Sequence, residues 1–461
     1  VLLLWSLPVF IGFAFSGYSA WLNTPYDAWR MIEVVIVSLF GMWTLFSRRP
    51  PTSFASSAAY GWTLWTLLLL LTASTALSTS PGRAATDAAL YLLLAAFIYS
   101  QSQLYRRKPR QVEHIAALIA VAPMLMLILL SQCIIDQWHG LTVSSWHGGF
   151  SNIRMLDDAL LPCLFLLWQR PIWLSRVFYT RAIAQFTISA AVYLLSSIYL
   201  LVFWLDGARA GFLSIAVGLI IVSLRRDYWH RLHLPLISLI LAALGYAAIA
   251  HWVPSMVADT LFRSDSSLRN ELWLKAFHLW QGHPLLGVGG DHYIISAPWM
   301  LNGHPHNIIL QFMSEWGAAT LLIIGLCIPL LLHTFFHFSA LPIFIVAGVA
   351  AIFTDSLLSG IFVYPLSQVI CSVLMAWLIA ALPESRTATK APLQMTTALW
   401  AYWQTPFKVM IMIAILSLAN VHGRDYVCPG CESQDDDNAP RFWQHGRATH
   451  LTPVTPGTPA A

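Results

Sequence analysis

Apolar residues run through this chain in long, nearly unbroken stretches, separated by short clusters of Pro, Gly, Arg and His. The stretches read as spans at about 2–20, 31–46, 60–78, 85–104, 113–135, 156–174, 183–205, 211–224, 234–252, 306–332, 340–357, 361–382 and 407–420. Most approach the roughly 17–25 apolar residues that carry a helix across a bilayer. They are continuous rather than alternating, which excludes a membrane barrel. The pattern therefore predicts an all-α polytopic membrane protein of about 12–13 transmembrane helices. The run at 211–224 is short enough to be tilted or partly re-entrant. The chain starts at Val1 without an initiator Met, and its first run lacks a cleavage-type end, so it reads as a span rather than a signal peptide. One membrane domain is expected over 1–420, with a long external loop at about 253–305 and a polar tail at 421–461. No internal repeat or linker marks a second domain.

The long loop carries a helical signal of its own. Asp265, Ser266 and Ser267 offer N-cap oxygens. Leu268, Leu272, Ala276 and Leu279 then share one face, and Gly282 and Pro284 end the pattern. This reads as an amphipathic helix at the membrane surface or as a lid packed on the bundle, and the two are compatible.

Composition confirms the class. Of 461 residues, 57% are hydrophobic and 10% charged, against about a quarter charged in soluble domains. The net charge of +4 is too small to point to nucleic acid, but its distribution is informative. With the N-terminus inside, one set of loops holds 15 of the 25 Lys and Arg residues, Arg106, Arg107, Lys108 and Arg110 among them. The positive-inside rule puts that set in the cytoplasm. The other face then receives the loop at 136–155, the loop at 253–305 and the tail.

That outer face holds the candidate chemistry. Arg154 and Arg209 fall beside span ends there, Arg263 and Arg269 flank the start of the loop helix, and His306 stands at the mouth of the 306–332 span. Outside an inner membrane there is no ATP, so glycan assembly uses a polyprenyl diphosphate leaving group. Arginine binds such phosphates through two parallel charge-assisted hydrogen bonds, and histidine takes a proton from an attacking hydroxyl near neutral pH. Taken singly, an interfacial arginine more often meets ordinary lipid headgroups. The loop is not basic overall, because Asp259, Asp265, Glu271 and Asp291 offset its cations, so anion binding has to be local.

Other constellations carry less. His283, His292, His304 and His306 lack metal-ligand spacing. Gly287-Val-Gly-Gly290 is no P-loop, since no Lys-Ser/Thr follows, and reads as a tight turn. Glu315 reads as an acid inside the 306–332 span with a structural or orienting role, and Glu33 and Asp355 as similar acids further from the cluster in sequence. Cys133, Cys163, Cys327 and Cys371 read as small apolar residues, and Cys428 with Cys431 as a local disulfide in the tail.

The segment His306-Asn-Ile-Ile-Leu-Gln-Phe-Met-Ser-Glu315-Trp-Gly317 resembles the signature of the O-antigen ligase/polymerase superfamily, in which a His-Asn pair opens a span. Leu268-Arg269…Trp273…Ala276…His283-Pro-Leu-Leu-Gly-Val-Gly289 resembles that family's external loop, and Asp206-Gly-Ala-Arg209-Ala-Gly its segment before a span. The resemblance covers about 200–320. One departure is Thr320 where the family pattern closes a Gly-x-x-Gly pair. The resemblance implies glycan transfer from undecaprenyl diphosphate in the periplasm of a bacterial inner membrane, without metal or nucleotide cofactor. It implies His306 as the base or acceptor-orienting group, with Asn307 beside it, and Arg209 and Arg269 as ligands of the diphosphate; Arg154, outside the resemblance, is a further candidate ligand by its place at the same face. The acceptor is lipid A-core for an O-antigen ligase; a protein O-oligosaccharyltransferase or an O-antigen polymerase is the alternative. A lipid-linked glycan transporter, the competing class, predicts discontinuous helices with charges near the midplane. A plain membrane scaffold does not require His and Arg grouped at one face.

Overall fold

In the computed structural model, the described residues are 2–16, 25–46, 58–139, 150, 152–169, 182–254, 268–294, 303–383 and 408–419. They form helices and turns, with no strand among them. In chain order the helices are α1 (Leu2–Phe15), α2 (Pro25–Phe46), α3 (Ala58–Leu77), α4 (Pro81–Arg107), α5 (Pro109–Val121) and α6 (Met126–Trp138). Next come α7 (Ile153–Gln169), α8 (Ala182–Asp206), α9 (Arg209–Ser223), α10 (His233–Trp252) and α11 (Arg269–Gly282). The last are α12 (Ile308–Trp316), α13 (Ala319–Phe336), α14 (Ile343–Ser356) and α15 (Pro365–Ala381), with α16 at Lys408–Ala419. Six segments are long and apolar enough to cross a membrane, and shorter apolar helices stand beside them. The protein is an all-α polytopic membrane protein.

The bundle is built around α7. Every residue from Met155 to Trp168 is buried, a pattern that only an interior helix shows. α7 packs on α14 and α15, α14 packs on α9, and α15 packs on α4. Small residues permit the closest approach: Phe165 sits where a Cβ on Gly218 of α9 or Gly348 of α14 would collide with its ring. Towards the periphery α10 and α13 leave Leu241, Leu244, Leu321, Leu331 and Phe335 exposed, as lipid-facing helices do.

At the basic end Arg106 closes a helix C-terminus, and Arg225 ties the end of α9 to the turn before α14. Arg106 donates to Ile379 O and Leu382 O at the end of α15, at 2.9 and 3.3 Å. Arg225 donates to Leu341 O at 2.9 Å. Cations suit helix C-termini, where carbonyls are left without intrahelical partners.

One expected span is in fact two helices. The apolar run 306–332 breaks at Gly317, which adopts φ +54 and leaves no room for a side chain against the Leu285 and Gly287 backbone. α12 thereby becomes a short separate helix that packs on α11 through a cluster of Leu272, Ala276 and Tyr293, with Leu310 and Leu279 against it. Glu315 accordingly ends a loop helix instead of standing inside a span.

α11 also starts later than its sequence suggests. Its N-cap is Leu268, in a left-handed conformation with no side-chain cap bond; Asp265, Ser266 and Ser267 lie outside the described residues. Leu272 and Ala276 face protein, while Leu274 and Phe277 are exposed. The helix is therefore packed on the bundle and keeps an apolar face free. Arg263, Cys428, Cys431 and the tail also lie outside the described residues, as does most of the 136–155 loop.

Candidate functional site

Three of the arginines singled out in the sequence meet at one cleft. Arg154 of α7, Arg209 of α9 and Arg269 of α11 line it together with Asp157, Asp158, Asp206, Asp355 and Ser359. Each arginine stands in the first turn of its helix. Such a place is unfavourable for a cation, because the helix N-terminus already carries positive partial charge, at about 0.3–1 kcal/mol per charge. α9 and α11 have no side-chain cap, their N-caps being Ala208 and Leu268, whereas on α7 Asn152 Oδ1 accepts from the Arg154 N–H at 2.9 Å. Three guanidinium groups and two helix N-termini without a side-chain cap thus gather where an anion fits. The field is felt locally: burial, with Arg154 and Arg209 nearby, lowers the Arg269 pKa from its ordinary value, against the pull of Asp355 and Asp158.

With the arginines lies a group of carboxyls, of which Asp157 and Asp158 were not singled out in the sequence. Asp157, Asp158 and Asp355 are only 4%, 4% and 2% exposed. Asp157 faces Asp206, and Asp158 faces Asp355, each pair within reach of a shared hydrogen. Ser359 Oγ donates to both oxygens of Asp158, at 2.9 and 3.1 Å, and Ser214 Oγ to Asp355 Oδ1 at 3.4 Å. Asp355 is thus part of the cleft despite its distance in sequence. The signal that identifies Asp157 and Asp158 is simple, since both stand in an otherwise apolar helix, where an acid is costly without a purpose.

His306 belongs to the same group. It is half-buried, just before α12. Burial first, then the charges of Arg269 and Arg154, push its pKa down from 6.5 to about 3. The ring is therefore neutral near pH 7, as a proton acceptor must be. Its backbone has φ +53, an uncommon region for a side chain of this size.

Asn307, expected beside the substrate, has its amide engaged in the fold. Oδ1 accepts from Ile309 N and Leu310 N at 3.1 and 3.0 Å, which caps α12, and Nδ2 donates to Leu357 O at 3.2 Å. The His-Asn pair thus fixes where α12 begins and ties it to the end of α14.

The other histidines are held by protein groups. His292 Nε2 accepts from Ser80 N at 3.0 Å, so Nδ1 carries the proton and donates to Gly290 O at 2.7 Å. Burial lowers its pKa. His304 bonds Tyr364 and the His306 backbone. Among the described residues, no group of three or more His, Cys, Asp or Glu gathers in a metal-holding arrangement.

The glycine run is a clasp. Val288 N and Gly289 N donate to Ser314 O and Glu315 O at 3.0 and 2.9 Å, and Gly287, at φ +68, lies so close to the Glu315 backbone that a Cβ would overlap it. Glu315 Oε1 accepts from Tyr293 N at 3.3 Å, the orienting role expected of it. Arg83 of α4 pairs with Asp291 at 2.8 Å. The segment after α11 is thus fastened to the end of α12 and the start of α4, which holds α11, and Arg269 with it, over the cleft.

An O-antigen ligase family model matches residues 191–325. The match includes Arg209, Arg269 and His306, while Arg154 and the Asp157–Asp158 pair lie before it and Asp355 after it. The match supports the O-antigen ligase superfamily and, at that coarse level, a ligase/polymerase-like glycosyltransferase. No curated protein and no solved structure matches the chain.

Proposed function

We propose that the protein transfers a glycan from undecaprenyl diphosphate to an acceptor hydroxyl at the periplasmic side of a bacterial inner membrane, with lipid A-core as acceptor. The observation that carries this reading is the meeting of Arg154, Arg209 and Arg269 at helix N-termini beside a neutral His306. A dianionic leaving group suits a place where guanidinium groups meet the positive ends of helices.

In this reading the diphosphate oxygens take the guanidinium forks, and the anomeric carbon next to them faces His306. His306 accepts the proton of the acceptor hydroxyl as the new glycosidic bond forms and the C–O bond to the diphosphate breaks, with inversion. The arginines stabilise the charge that grows on the departing diphosphate. No metal or nucleotide cofactor enters this reading. The other partners it implies are the surrounding membrane lipids, and nucleic acid has no place in it.

The acceptor is tested by deleting the gene and examining both glycan products. Loss of glycan from lipopolysaccharide, with glycoproteins untouched, is the expected result. Loss from glycoproteins alone assigns the protein O-oligosaccharyltransferase activity instead, and unlinked short glycan assigns polymerisation. The transporter class is disfavoured by the position of the charges, which converge on helix ends at one cleft instead of following a path between the two faces.

A further inference from the structure

We propose that His304 and Tyr364 are positioning residues that set the aim of His306. The inference rests on the reading of His306 as the proton acceptor and concerns what holds it there.

His306 keeps a left-handed backbone, φ +53, which is uncommon for any residue with a side chain. Something must hold that turn, and the bonds around it identify what does. The His306 N–H donates to His304 Nδ1 at 3.2 Å. In a neutral imidazole that makes Nε2 the protonated nitrogen, and Nε2 then donates to Tyr364 Oη at 3.2 Å. His304 is buried, at 4% exposure. Its ring meets the His306 ring at a centroid distance of 4.3 Å and the Tyr364 ring at 5.7 Å, both in edge-on geometry. A side chain at Gly360 would run into both the His304 and Tyr364 rings, so the pocket around them is closed.

Tyr364 is fixed in turn. The turn before α15 is held by Arg30 of α2, whose Nη2 donates to Val363 O at 2.6 Å and whose Nη1 donates to Gln368 Oε1 at 2.6 Å. Gln368 Nε2 also donates to Phe362 O at 2.7 Å. Arg30 is balanced by Glu33 at 2.5 Å. A continuous line of bonds therefore runs from the interior of α2, through the turn before α15, to the backbone of His306. On the far side of His306, the Asn307 cap holds the start of α12. None of the three arginines of the cleft takes part in this line, so donor binding and the aim of His306 are separable.

The test uses the full chain in proteoliposomes, with an undecaprenyl diphosphate-linked glycan as donor and purified lipid A-core as acceptor. His304→Leu removes the acceptor of the His306 N–H; His304→Asn keeps an oxygen near the Nδ1 position; Tyr364→Phe removes one hydroxyl and preserves shape. The expected result is a kcat at least about 30-fold lower in His304→Leu, with donor KM within about twofold of wild type, because a misaimed group loses rate rather than binding. His304→Asn recovers at least about a third of the lost rate on a logarithmic scale. Tyr364→Phe lowers kcat by about 3-fold or more at unchanged donor KM. Wild-type kcat in both His304→Leu and Tyr364→Phe overturns the inference, as does an equal fall in His304→Leu and His304→Asn. If His304→Leu does not fold, Tyr364→Phe decides alone. His306→Ala is measured beside them: an active His306→Ala removes the reading of His306 itself, whereas an inactive one with unaffected His304 and Tyr364 variants removes the positioning inference only.

Discussion

At the scale of single residues, the site sets three arginines beside four carboxyls and near one imidazole. Arg154 and Arg269 keep the His306 pKa low, after burial itself. The sign of the linkage follows. The folded pKa of about 3 lies below the ordinary 6.5, so the unfolded chain takes up the proton first, and the stability tied to neutral His306 is present above pH 6.5 and lost as pH falls towards 3. Catalysis shows the same shift. The acid limb of kcat/KM, which reports the free enzyme, is expected well below 6.5. The acid limb of kcat is expected higher, since bound diphosphate offsets both arginines. Coincident limbs near 6.5 in the two profiles would contradict the arrangement. Arg209→Lys keeps the charge and loses the fork. It is expected to weaken donor binding by about 10- to 100-fold, the worth of one charge-assisted bond; an unchanged donor KM would argue against diphosphate clamping. His306, Arg209 and Arg269 were legible because short motifs set them at span ends. Asp157, Asp158, Ser359 and Tyr364 were not, because their meaning depends on which helices become neighbours.

At the scale of elements, sequence periodicity located the helices but not how the 306–332 run divides. Its apolar pattern continues through Gly317, and only the close approach of the Leu285–Gly287 backbone shows why the chain must bend there. The same geometry gives a contrast between two glycines. Gly287→Ala places a side chain at φ +68 against the Glu315 backbone and is expected to destabilise the protein by about 1–3 kcal/mol. Gly282→Ala, at the end of α11 with nothing within 4 Å of the added carbon, is expected to be neutral or to stabilise by up to about 1 kcal/mol. Thermal unfolding in detergent distinguishes them, and equal midpoints would show that the clasp is not a fixed contact. The N-terminus of α11 is described only from Leu268, its N-cap residue, which makes no side-chain cap bond, while Asp265, Ser266 and Ser267 lie outside the described residues.

At the scale of the whole molecule, charge is sorted between two ends. Arg106 meets the C-terminus of α15 and binds its carbonyls, and Arg225 binds Leu341 O and the Asp227 carboxylate. Arg154, Arg209 and Arg269 meet helix N-termini at one cleft, beside the carboxyls of Asp157, Asp158, Asp206 and Asp355. The all-α membrane class was legible from run length and composition alone, because a bilayer admits few other solutions. The convergence of four separate loops on one cleft was not, since no local pattern encodes it. The family match spans 191–325, and the structure adds to it the carboxyls of α7 and α14. The central claim is that His306 accepts the acceptor's proton beside a diphosphate held by arginines. The measurement that bears on it most directly is glycan transfer by His306→Ala in proteoliposomes, with the binding of undecaprenyl diphosphate followed in the same preparation. The expected result is transfer lowered by at least about 100-fold with diphosphate binding retained; transfer within about threefold of wild type, at equal amounts of folded protein, would contradict it.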